Sequence, residues 1–300
     1  MKPNPDRLDG SPAIRQTFLT NPSHPRLDLP ADACDAHCHV FGPGYMFAYA
    51  PQRSYTPIDA PRDTLFELHR QLRLARGVIV QASCHGTDNA ALVDALAAGE
   101  GRYRGIAMVG PEINDAELAR LHAAGVRGVR FNFVSHLGND AQFDSVRAIV
   151  ARIAPLGWHI VVHFDSDRLA ALTDFLRELP ITIVIDHMGR PDASLGLDQV
   201  AFTELAALVA ADDKFWVKVS GCERLTREGP PYADATPFAR HLVELIPERV
   251  LWGTDFPHPN IRPPIPDDGA LVDLIADVAP RAEQRRALLV DNPTRLYWND

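Results

Sequence analysis

Cys34-Asp35-Ala36-His37-Cys38-His39-Val40-Phe41 follows a polar N-terminal stretch and is short and apolar enough to be a buried strand. Side chains alternate faces along a strand, so His37 and His39 project the same way, roughly 7 Å apart by the strand rise. Two imidazoles so placed can grip one metal ion or one carbonyl oxygen, or can simply belong to a half-polar edge strand. The octapeptide also separates two folds. Beyond it apolar strands alternate with helices, a pattern shared by an open doubly wound sheet and a closed barrel. The open sheet normally keeps a Gly-rich phosphate loop after its first strand. Here that place holds His37 and His39, with neither GxGxxG nor GxxxxGK followed by Ser or Thr.

Seven further strands are expected over Gly77–Ala82, Arg104–Val109, Gly128–Phe133, His159–Phe164, Ile181–His187, Phe215–Val219 and Arg249–Gly253. Helices are expected between them over Asp63–Ala75 (capped at Arg62-Asp63), Asp88–Ala98, Asp115–Ala124, Asp144–Ala154, Ser166–Leu179, Gln199–Ala211 and Thr236–Ile246. Two more fall near Gly269–Val278 and Ala282–Val290. This is the arithmetic of an α/β protein built as a single (β/α)8 TIM barrel. The barrel is placed at residues 31–300, after an extended polar N-terminal arm, residues 1–30, carrying Pro3, Pro5, Pro12, Pro22, Pro25 and Pro30. The loop from Gly42 to Arg62 is rich in Pro and aromatics, and offers Tyr45, Phe47, Tyr49 and Tyr55 as pocket walls.

With 46% hydrophobic residues, the 300-residue chain can bury a large core. Its net charge of -9 argues against nucleic acid and acidic membrane surfaces as partners. No apolar run approaches the roughly 18 residues of a membrane span, and the arm lacks the apolar core of a secretory signal. Cys34, Cys38, Cys84 and Cys222 lack CxxC spacing and read as reduced thiols of a cytoplasmic protein. Oligomeric state is not legible.

Catalytic groups of a barrel come from the C-terminal ends of its strands. Those ends carry His37, His39, Ser83, Arg130, Asn132, His163, His187 and Asp255. Four imidazoles and a carboxylate at one mouth suit activation of water against a carbonyl, with or without a metal. Arg130, Arg190 and Arg224 lie near the same mouth. Each either pairs with a protein carboxylate or helps bind an anionic substrate.

The segments Asp35–Pro43, Val80–Asn89, Gly128–Phe133, Val184–Asp192 and Trp252–Asn260 closely resemble the 2-pyrone-4,6-dicarboxylate lactonases of the amidohydrolase superfamily. The resemblance implies hydrolysis of a small anionic lactone formed during breakdown of lignin-derived aromatics. It implies Asp255 as general base, with His37, His39 and His187 around the lactone carbonyl. It also implies that Tyr55, Ser83, Arg130, Arg190 and Arg224 hold the substrate's carboxylates, with no metal; His163, at the end of its strand, is expected among the substrate-binding residues as well. Two positions depart from the pattern: His163 stands where those lactonases carry Tyr, and His136 where they carry Arg. His163 restores a superfamily set of His37, His39, His163 and Asp255 that would bind one divalent ion, Zn or Mn. That alternative is a metal-dependent relative of the 4-sulfomuconolactone hydrolase type, or a lactone isomerase or decarboxylase.

Overall fold

A computed structural model describes residues 16–134, 142–261 and 263–299. Among these residues, eight parallel strands pair in chain order: β1 (Cys34–Cys38), β2 (Arg76–Val80), β3 (Tyr103–Ala107), β4 (Val126–Phe133), β5 (His159–Phe164), β6 (Ile183–Ile185), β7 (Phe215–Lys218) and β8 (Val250–Leu251). The sheet closes on itself beyond the short β8. Ala36 N–H donates to Trp252 O at 2.8 Å, Asp255 N–H to His37 O at 2.8 Å, and His39 N–H to Phe256 O at 2.7 Å. Asp35 reinforces the seam, accepting from the Thr254 hydroxyl at 2.6 Å and from the backbone N–H of His37 at 2.9 Å. Gly253 is required there, because a Cβ would collide with the His37 nitrogen.

Between the strands run α1 (Arg62–Leu72), α2 (Ala90–Ala98), α3 (Asp115–Ala123), α4 (Phe143–Ile153), α5 (Leu169–Glu178), α6 (Val200–Ala211), α7 (Cys222–Leu225) and α8 (Thr236–Leu245), and α9 (Asp268–Asp273) follows β8. In α4, Val146, Ile149, Val150 and Ile153 are buried at i, i+3, i+4 and i+7, the spacing of one apolar stripe against the sheet. Each such side chain stabilises the fold by ~1.5–3 kcal/mol, so a charge at Ile149 would break this contact. The sequence reading of α1 needs correction. Pro61 precedes it in extended backbone without a side-chain cap, and Arg73 in left-handed backbone ends it, not Ala75. The four cysteines are free and buried.

Two apolar layers result. One lies between sheet and helices; the other fills the barrel floor with Cys34, Ala36, Val78, Val80, Ile106, Val161, Val184, Trp216, Leu251 and Tyr297. Strict alternation from Cys34 and Ala36 would turn Cys38 inward. The register of β1 against β2 instead shifts between Asp35 and Cys38. Such a bulge re-aims the following side chains, so Ala36 and His37 both serve the interior. The described part of the N-terminal stretch runs along the outside of the barrel. The Thr17 hydroxyl donates to Pro257 O at 2.5 Å, Phe18 packs edge-on against Phe256, and Arg26 pairs with Asp273 of α9.

Candidate active site

The site is assembled where strands give way to tight turns. β6 ends at Ile185, two residues before the expected limit, because His187 and Met188 take left-handed backbone angles (φ 49° and 56°). Asp255, beyond β8, is left-handed as well (φ 61°). Such conformations are uncommon outside glycine and cluster at functional sites. Gly221 makes room for the turned His187, since a Cβ at Gly221 would lie 2.9 Å from its Nδ1.

Three imidazoles converge on one oxygen. Asp255 Oδ1 lies 3.3 Å from His39 Nε2, 3.4 Å from His37 Nε2 and 3.8 Å from His187 Nε2. Its Oδ2 accepts from Nε of Arg224 and is ion-paired with Nη2 of the same guanidinium. Burial alone would push the Asp255 carboxyl up. Arg224 above all, with the N–H of His37, outweighs burial and holds it well below the usual range, as a carboxylate.

Beneath this ring lies a buried charge network. Lys218, fully enclosed at the end of β7, sits 2.9 Å from His37 Nδ1 and 3.2 Å from Asp186 Oδ1. Asp186 Oδ2 accepts from Arg130 Nε at 3.0 Å. Burial would raise the Asp186 carboxyl, but the Lys218 ammonium and the Arg130 guanidinium hold it well below the usual range. Neither Asp186 nor Lys218 was picked out by the sequence reading. The available signal was a lysine in the otherwise apolar strand Phe215-Trp216-Val217-Lys218, since a fully buried ammonium requires a partner.

These contacts fix the protons on the two strand-one histidines. A carbonyl only accepts, so His39 Nδ1, 2.8 Å from Val80 O, carries hydrogen. Burial lowers the His39 pKa to about 4, so the ring is neutral near pH 7 and its Nε2 presents a lone pair to Asp255. An ammonium only donates, so His37 Nδ1 accepts from Lys218 and the ring's proton lies on Nε2. Asp186 Oδ1 is 3.2 Å from the same Nδ1 but makes no hydrogen bond with it. The pair is therefore asymmetric, one N–H and one lone pair.

Above the ring opens a cavity of about 1070 Å³ lined by His39, Tyr55, Ser83, Arg130, His163, His187, Arg190, Arg224 and Asp255, with His37 buried beneath. His163, beside Asn132 across the β4–β5 pair, has Nδ1 3.4 Å from Asn132 Oδ1. Burial depresses both His163 and His187 well below the ordinary histidine pKa. Each of the three arginines already pairs with a protein carboxylate: Arg130 with Asp186, Arg190 with Asp165 at 2.8 Å, and Arg224 with Asp255. Of the four loop aromatics only Tyr55 lines the cavity. Tyr45 is 88% exposed, and the Tyr49 hydroxyl donates to Asp59 at 2.6 Å. His85 accepts from the Gly42 N–H at 3.0 Å and His258 lies 3.1 Å from Asp268, so both support loops. His136 lies outside the described residues.

The metal set expected from the sequence is not what the geometry gathers. Among the described residues three sets of donor atoms lie within 4.8 Å of one another: Asp35, Cys38 and His69; Glu223, Asp255 and His258; and His37, His187 and Asp255, the last without the expected His39 and His163. The chemistry of this last set does not fit a divalent ion either. His37 directs N–H rather than a lone pair at the cluster, and Arg224 occupies the other oxygen of Asp255.

A (β/α)8 barrel with HxH at its first strand, a histidine at the end of β5, another after β6 and an aspartate after β8 defines an amidohydrolase. The chain belongs to that family, whose model matches residues 34–298. A 2-pyrone-4,6-dicarboxylate hydrolase from Comamonas testosteroni is 52% identical over 94% of this chain and 95% of its own length. A 4-sulfomuconolactone hydrolase from Hydrogenophaga intermedia is 39% identical over 91% and 90%. A solved structure from Acinetobacter baumannii, described as a probable 2-pyrone-4,6-dicarboxylic acid hydrolase with citric acid bound, superposes with a TM-score of 0.78. It shares 26% identity and covers 89% of this chain and 99% of its own.

Proposed function

We propose that this chain is a lactonase that opens the cyclic ester of 2-pyrone-4,6-dicarboxylate, acting in the cytoplasm in the breakdown of lignin-derived aromatics. One observation carries the reading: an ionised Asp255 ringed by imidazoles at the floor of an arginine-lined cavity. The 52% identity to the Comamonas hydrolase supports the substrate.

Ester hydrolysis needs an acceptor for the proton of the attacking water and donors for the oxyanion that forms. Asp255 Oδ1 and the lone pair of His39 Nε2, 3.3 Å apart, are the acceptors that hold the water, and Asp255 takes its proton. The Nε2–H of His37 is the oxyanion donor, with His187 beside it. Collapse of the tetrahedral adduct breaks the ring C–O bond, and Asp255 returns the proton to the leaving ring oxygen, which regenerates the carboxylate. Arg130, Arg190 and Arg224, with Tyr55, Ser83 and His163, hold the two carboxylates. Their protein partners keep the guanidiniums in place until the substrate shares them.

The test is to incubate the purified chain with 2-pyrone-4,6-dicarboxylate and follow loss of pyrone absorbance and release of acid. Turnover supports the assignment; no turnover of the pyrone, with turnover of 4-sulfomuconolactone, would move it to that lactone.

A further inference from the structure

We infer that Lys218 is a positioning residue that makes the strand-one histidines a donor–acceptor pair instead of a metal grip. The inference rests on the lactonase reading only for what the pair does; the proton placement stands on the geometry alone. Lys218 Nζ lies 2.9 Å from His37 Nδ1, and neither has access to solvent. Asp186, 3.2 Å from the ammonium, keeps it charged and in place. An ammonium has no lone pair, so this contact exists only with Nδ1 as acceptor. The proton of His37 is thereby sent to Nε2, facing Asp255. His39 instead donates its Nδ1–H to Val80 O and presents the opposite face.

Metal-ligating histidines have the reverse arrangement: the far nitrogen donates to a carboxylate, and the near one offers its lone pair. That arrangement is one residue away. Asp186 Oδ1 is buried, has no hydrogen-bond partner and lies 3.2 Å from His37 Nδ1. Without the ammonium, Nδ1–H can donate to Asp186. Then His37 Nε2 and Asp255 Oδ1 both present lone pairs within the cluster they form with His187, whose donor atoms all lie within 4.8 Å of one another.

Two measurements test this, and neither reads turnover, so their failure is separable from failure of the lactonase assignment. In the metal-free full chain labelled with nitrogen-15 in histidine, long-range proton–nitrogen correlation should show His37 protonated on Nε2 and His39 on Nδ1. The signals are assigned by their loss in His37→Gln and His39→Gln. Protonation of His37 on Nδ1 would overturn the inference. In the second, Lys218→Met and the unaltered chain are stripped with chelator and titrated with zinc by calorimetry. The variant should bind zinc at least about tenfold more tightly, the scale on which such outer partners act. Equal affinity in the two proteins would also overturn it. Should the variant fail to fold, the spectrum of the unaltered chain decides.

Discussion

Arg224 covers one oxygen of Asp255 and leaves the other to the three imidazoles. The carboxylate is thus ionised on one side and aimed on the other. Removing the guanidinium takes away the largest influence that opposes burial, and burial favours the protonated form. In the unaltered enzyme kcat/KM should show no acid limb from Asp255 near neutral pH. In Arg224→Gln the protonated, inactive form persists to higher pH, so an acid limb should move upward. KM should rise as well, because a carboxylate partner is lost. A pH profile with an unshifted limb would show that Arg224 does not set the state of Asp255.

Asp255→Asn keeps the shape of the side chain and removes its basicity. If Asp255 takes the proton of the attacking water, kcat should fall about 100- to 10,000-fold, with an unchanged circular dichroism spectrum. A folded variant within a few-fold of normal turnover would place the base elsewhere.

Asp186 is the anion between Lys218 and Arg130, all three buried. Asp186→Asn leaves two buried cations without their counter-charge. Breaking a buried pair in this way costs about 3–5 kcal/mol. Urea unfolding should register that loss as a lower midpoint with an unchanged slope, and a change under 1 kcal/mol would contradict the network as drawn.

How much of this was readable in the chain follows from which forces are local. Buried strands announce themselves through runs such as His159-Ile160-Val161-Val162-His163-Phe164, whose limits match β5. His37, His39, His163, His187 and Asp255 were placed at the mouth because strand ends supply barrel sites. The protons on those imidazoles were not legible. They depend on Lys218, 181 residues from His37, and on Val80 O, 41 residues from His39. The bulge in β1 was equally hidden, since it is a property of pairing with β2. The arginines were identified, but not their aspartate partners, because an ion pair across the barrel leaves no spacing in the sequence. For the same reason His163 entered the metal set by its strand position and left it by its distance.

His159 opens β5 near the barrel floor, buried, with Nε2 unpartnered and its ring edge-on to Tyr297. Burial, with the nearby Lys218, lowers its pKa from 6.5 to about 3. Between those values the unfolded chain holds a proton at this site that the folded chain does not. The stability from this depressed pKa is fully present above pH 6.5 and is lost as pH falls toward 3, by about 1.4 kcal/mol per unit. His159→Phe removes the proton uptake and keeps the ring. Urea unfolding of both proteins at pH 7 and pH 5 should therefore show the variant losing about 2 kcal/mol less than the unaltered chain on acidification. Equal losses would mean that His159 takes up its proton in the folded barrel.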